Sequence, residues 1–200
     1  MLNIIALIIF ITGEFALKEN IYSSIVKKWF LFSIPFIFLL GALFHFVFEF
    51  TDKSIMLAPF FPVNESIYEH LKLTFYPILL WQLIGYLFLN NRIKIIFKNW
   101  VISNAISIII SSFLTIFLYY SAVGAFNIHS TIADISFYFI SIVLGQALGL
   151  HVYNKCNHNR KLFLLSIIII LSIFILFTIF TFIPPKLPLF MEYSTGLYGI

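Results

Sequence analysis

The sequence predicts an all-α fold: one integral-membrane domain over residues 1–200, a polytopic transmembrane bundle of six helices with both termini non-cytoplasmic. Three observations carry this expectation. Hydrophobic residues make up 62% of the chain and charged residues 10%, against about 25% charged in an ordinary soluble domain. The apolar residues gather into six runs near the length of a membrane-spanning helix. The basic residues fall almost entirely on alternate connections between those runs. Such a composition excludes a soluble globular enzyme, a nucleic-acid binder and a disordered chain. It also places the protein in a cell membrane, as a multi-pass chain whose first partners are membrane lipids.

A spanning helix needs about 20 mostly apolar residues, and in lipid an open strand would leave its peptide groups unpaired. The first run, 2–17, is short and contains Glu14. It lacks a basic leader and a small-residue cleavage site, so it reads as a retained helix and not as a signal peptide. The second is 29–50. The third, 73–89, is short, and its helix is expected to begin earlier, in the polar stretch before it. The fourth and fifth are 101–125 and 132–153. In the fifth, Gly145-x-x-x-Gly149 permits another helix to approach closely, with Gln146 able to hydrogen-bond across the contact. The sixth is 162–183. The tail from Pro184 is too apolar to be solvated. It is expected to lie back on the outer face with Tyr198 buried, either as an interfacial anchor or as a lid.

Nine of the twelve Lys and Arg residues lie in the first, third and fifth connections: Lys18, Lys27, Lys28, Arg92, Lys94, Lys98, Lys155, Arg160 and Lys161. The other three are Lys53, Lys72 and Lys186. The positive-inside rule assigns the odd connections to the cytoplasm. The opposite, outer side then gathers Glu49, Asp52, Glu65, Glu69, Asp134 and Glu192 with His45, His70 and His129. The single cysteine, Cys156, excludes an intrachain disulfide. With His158 it offers too few ligands for a metal and reads as a loop thiol. His151 falls near the inner end of its helix, away from the outer cluster.

Chemistry concentrates in Asn64-Glu65-Ser66-Ile67-Tyr68-Glu69-His70-Leu71-Lys72. On a helix Glu65 and Glu69 would share a face, with Lys72 a turn on. A structural reading accounts for part of this stretch. Asn64 or Ser66 can cap a helix, Ser66-x-x-Glu69 is a capping box, and Glu65 suits the positive end of the helix dipole. It leaves two acids beside His70 unexplained. On the second helix His45 and Glu49 stand i, i+4, with Glu49 near the helix end and His45 about five residues inside it, roughly 7–8 Å deeper. An ionisable side chain at that depth points to a site or to a packing hydrogen bond. Asp134, in the first turn of the fifth helix after Ser130 and Thr131, suits a helix start equally well.

The expected site therefore has Glu65, Glu69 and His70 as catalytic groups. Asn64, Lys72, Asp134 and Tyr198 would contact substrate. His45, Glu49 and His70 would bind a divalent metal such as zinc, with Glu49, Glu65, Glu69 and His70 converging in one outer cavity. No zinc motif such as H-E-x-x-H is present. The matching activity is metal-dependent hydrolysis of a lipid or amphiphile. The alternatives are a small-molecule or cation transporter or binding subunit, and an assembly factor without a small ligand. The stretch Pro62-Val63-Asn64-Glu65-Ser66-x-x-Glu69-His70-Leu71-Lys72-Leu73, preceded by His45-Phe46-x-x-Glu49 and followed by Thr195-Gly196-x-Tyr198-Gly199, resembles a family of uncharacterised bacterial integral-membrane proteins. The resemblance runs from about Lys27 to the end. It implies which residues belong together and assigns them no activity.

Overall fold

A computed structural model describes residues 23–200. The expected first span, 2–17, lies outside the described residues, as does Glu14. The helices are α1 (Leu2–Phe50), followed here from Ser23, α2 (Ile67–His70), α3 (Lys72–Leu89), α4 (Phe97–Phe126), α5 (Thr131–Lys155) and α6 (Arg160–Phe182). There are no strands among the described residues. Five segments are long and apolar enough to cross a membrane: Ser23–Phe50, Ile67–Leu89, Phe97–Phe126, Thr131–Lys155 and Arg160–Phe182. Most of these helices run past the apolar runs, because polar residues cap and extend them. The third does so by six residues, beginning at Ile67 inside the polar stretch.

Local chemistry sets the ends. Ser66 caps α2, its hydroxyl accepting from the Glu69 N–H. Asn127 ends α4 in the left-handed conformation; its N–H donates to the Val123 carbonyl and the Ile128 N–H to the Ala122 carbonyl. The Asn159 side-chain oxygen accepts from the Lys161 and Leu162 N–H groups at the start of α6. These contacts satisfy peptide groups that a helix terminus otherwise leaves unpaired.

The main core joins Ile37, Phe75, Ile78, Ile108, Ile142 and Phe177. A second cluster at the opposite end joins Val26, Phe30, Leu89, Ile93, Ile95 and Trp100. α6 buries only Ser166, Phe177 and Thr181 and turns Leu165, Ile168, Leu171 and Ile175 outward. An apolar helix exposed on most of its surface suits lipid and not water.

α4 and α5 pack backbone to backbone. Ser103, Ser107 and Ser111, one per turn of α4, are fully buried and face Gly149 and Gly145. A Cβ on Gly145 would collide with the Ser111 hydroxyl and lie 2.8 Å from the Ser107 carbonyl oxygen. One on Gly149 would collide with the Ser107 hydroxyl. The expected glycine contact is thus the α4–α5 seam. Gln146 leaves that seam to accept a bond from Gln82 of α3 at 3.5 Å.

One knot fixes the register of three helices. The Tyr138 hydroxyl of α5 bonds the Leu73 carbonyl of α3 at 2.8 Å and the Ile37 carbonyl of α1 at 3.3 Å. It also presses on Gly41, where a Cβ would strike it. The tail returns over the same end of the bundle. Met191 pairs with Tyr198 in an antiparallel bridge, and Gly196 and Gly199 take φ of +71° and +68°. Only residues without a Cβ adopt such angles readily, which accounts for the glycines of the terminal motif. Tyr198 is partly buried against the main core.

Candidate metal centre

α1 carries His45 to the bundle end, where Thr51 closes the helix by donating to the Val47 carbonyl at 2.8 Å. Asp52 and Lys53 then turn the chain through positive φ, and the connection returns beside α1 to Ser66. Glu65 precedes the cap, so it stands outside α2. His70 ends α2 one turn later, its Nδ1 at 2.8 Å from the Ser66 carbonyl oxygen.

These three side chains meet. His45 Nε2 lies 3.1 Å from His70 Nε2. A Glu65 carboxylate oxygen lies 3.5 Å from the first and 3.3 Å from the second. Among the described residues, they form a group whose ligand atoms all lie within 4.8 Å of one another. Their side chains are 30%, 25% and 59% exposed, so solvent and solutes reach the cluster. Hydrogen bonding from His45, then from His70, holds the Glu65 carboxyl well below the usual carboxylate range. The carboxylate is therefore charged whenever the protein is folded near neutral pH.

The triangle has the dimensions of a metal site. Zinc binds nitrogen and oxygen at about 2.0–2.1 Å, so two ligands of a tetrahedral ion stand about 3.3 Å apart. The three observed edges bracket that value. The His70 tautomer also fits. A carbonyl oxygen can only accept, so Nδ1 carries a proton, and loss of the Nε2 proton that faces Glu65 would leave a lone pair there for a metal. This is the usual support of a metal-binding imidazole. A single proton can bridge one edge of the triangle, whereas a cation at its centre serves all three ligands.

Two residues expected in the convergence are elsewhere. Glu49 pairs with Lys53 at 3.4 Å, both side chains 65% exposed. The helix still runs at Glu49, and its face there has turned to solvent. Glu69 points away from Glu65, because the helix begins only after Ser66 and the expected shared face does not exist. Its carboxylate is buried, accepting from the Val63 N–H at 3.0 Å and from Lys72 Nζ at 2.6 Å. Lys72 is fully buried and also donates to the Ala58 carbonyl and to Thr181 Oγ1. The pair ties the return connection, α3 and α6 together beside the cluster.

Asn64 bridges the cap and the tail. Its Oδ1 accepts from the Ser66 N–H at 3.0 Å and its Nδ2 donates to the Gly199 carbonyl at 2.9 Å. The capping box is thus divided: Ser66 holds the Glu69 N–H, while Asn64 takes the reciprocal part expected of Glu69. Asn64→Ala should expose the tail, with chymotryptic cleavage near Tyr193 in the detergent-solubilised protein about tenfold faster, as the loss of one cap-strength contact implies. Equal cleavage rates would mean that other contacts hold the tail.

Asp134 is exposed in the first turn of α5. His129 stacks on Tyr193, with ring centroids 5.7 Å apart, outside the triangle. Cys156 and His158 sit at the opposite end, near Asn99. Sequence reasoning missed Thr181 and Glu192 as neighbours of the site. Glu192 Oε1 accepts from the Glu65 N–H at 3.4 Å. Neither shows a spacing signal, because each is brought in from over 100 positions away.

A family described as of unknown function, DUF6512, matches residues 18–200. No curated protein and no solved structure matches the chain.

Proposed function

Because the chain belongs to the DUF6512 family of unknown function, we propose its activity from the site alone: His45, Glu65 and His70 hold a divalent metal such as zinc at the outer face of a multi-pass cell-membrane protein that hydrolyses a lipid or amphiphile. The observation that carries this reading is the triangle of 3.1, 3.3 and 3.5 Å edges between two imidazole nitrogens and a carboxylate oxygen.

Two histidines and one glutamate are a ligand set that leaves a coordination position for water, which distinguishes catalytic from structural zinc sites. The partial exposure of all three ligands supports access. The location supports the substrate class, since a cluster at helix ends stands at the depth of a lipid headgroup or its linking bonds. Hydrolysis there adds the water oxygen to the electrophilic carbon or phosphorus and delivers a proton to the leaving oxygen or nitrogen. His45, Glu65 and His70 position the water, and Asn64 fixes the turn that presents Glu65. The basic residues at 18–28, 92–98 and 155–161 support the first, third and fifth connections as cytoplasmic. With 2–17 counted as a sixth span, both termini are non-cytoplasmic.

Purified protein incubated with zinc and dialysed should retain about one zinc ion per chain, as one three-ligand site requires. His45→Ala and His70→Ala should each retain under about a tenth of that, given that losing one of three ligands opens the site, with helix content unchanged by circular dichroism. A wild-type protein that retains no zinc, or histidine variants that retain all of it, would overturn the reading.

A further inference from the structure

The Tyr138 knot sets a register that reaches beyond the three ligands. Tyr138 meets the Leu73 carbonyl of α3 and the Gly41 face of α1 at one level. One helical turn from that level toward the cluster lie His45 on α1, four residues after Gly41, and His70, three before Leu73. On α5 the residue one turn in the same direction, four before Tyr138, is Asp134. Residues four apart share a helix face, so Asp134 stands above Tyr138 on the side turned to α1 and α3. Asp134 lies in the first turn of α5, at the end of the helix face whose buried members are Ser141, Ile142 and Gly145. Asp134 is not in the group whose ligand atoms lie within 4.8 Å of one another. It is therefore not one of the three ligands, and its level and helix face place it at the same end of the bundle as the triangle.

We propose that Asp134 is the outer carboxylate of this site, accepting a hydrogen bond from the water or hydroxyl group held beside His45, Glu65 and His70. The inference rests on the metal reading above. It assigns α5 a part in a site otherwise built from α1, α2 and the turn between them. A carboxylate at that position orients the bound water by its lone pairs and is placed to take its proton. The groups around Asp134 suit this role. Among the described residues, no lysine or arginine forms an ion pair with Asp134.

Acetohydroxamate is the probe, because its two oxygens bind zinc while its N–H and O–H groups seek an outer acceptor. Zinc-loaded wild-type protein in detergent should bind it. Asp134→Asn should keep wild-type zinc stoichiometry, with zinc affinity within about twofold, and bind acetohydroxamate about tenfold more weakly, as the loss of one charge-assisted hydrogen bond implies. Asp134→Glu should recover part of the loss. Equal hydroxamate affinity in Asp134→Asn overturns the inference while leaving the metal site standing. Loss of zinc itself from Asp134→Asn also overturns it, because Asp134 would then be a ligand. A wild-type protein that takes up no zinc overturns the metal reading and this inference with it.

Discussion

Lys72→Met should be the most damaging single substitution outside the cluster. It leaves the buried Glu69 carboxylate facing Thr181 without its cation. Removing one partner of a buried ion pair costs about 3–5 kcal/mol, because the remaining charge stays in a medium that solvates it poorly. For a chain of this length that corresponds to a fall of about 10 °C or more in the unfolding midpoint, read by thermal denaturation in detergent. The double variant Glu69→Gln with Lys72→Met should recover most of the loss. The amide carries no charge and its oxygen can still accept from the Val63 N–H. If Lys72→Met melts with the wild type, the pair does not hold the return connection to α3 and α6. If the double variant is no better than the single, the damage comes from lost packing of the lysine stem and not from stranded charge.

The second large effect belongs to the α4–α5 seam. Gly145→Leu and Gly149→Leu should each force the two helices apart. Even a methyl group at Gly145 would meet the Ser107 carbonyl oxygen at 2.8 Å, and at Gly149 the Ser103 carbonyl oxygen at 3.0 Å. Backbone oxygens cannot rotate away as side chains do. Overpacking a tight contact costs about 1–3 kcal/mol, and a leucine against backbone belongs at or above the upper end. Gly145→Ala should be milder, and Ser111→Ala should partly rescue it, because the Ser111 hydroxyl is the nearest obstacle. Among the described residues that hydroxyl has no hydrogen-bond partner, so removing it alone should be close to neutral. Thermal midpoints of the four members of this cycle measure the coupling. Additive effects would show that the glycine and serine do not share one contact.

The bundle was legible because lipid enforces simple rules. Long apolar runs must be helices, and five of the expected spans coincide with helices long and apolar enough to cross a membrane. The glycine contact was legible too, since a small residue every fourth position has few uses on an apolar helix. The triangle was half legible. His45 and His70 announce themselves as ionisable groups at helix ends, and Glu65 as an acid beside one of them. What a residue pattern does not encode is where the helix starts. The start at Ser66 decides that Glu65 swings to the histidines while Glu69 swings to Lys72. Glu49 illustrates the opposite error, since an i, i+4 spacing to His45 places two residues near one face but leaves each free to choose its partner, and Lys53 was nearer. Thr181 and Glu192 lay beyond reach because contacts over such separations depend on how the whole bundle closes.

The separation of the two histidines has a consequence for how the fold is held. His45 and His70 are 25 positions apart, on the two limbs of a hairpin whose tip is the return connection. A metal bound to both would act as a removable crosslink, closing that hairpin as a disulfide closes a loop. In the chain-entropy account, tying a loop of this length is worth about 3.5 kcal/mol, drawn from the freedom the open chain would otherwise enjoy. Occupancy of the centre would then be felt as rigidity of the C-terminal end of α1 and the N-terminal end of α3, and stripping the ion would loosen the platform that presents Glu65.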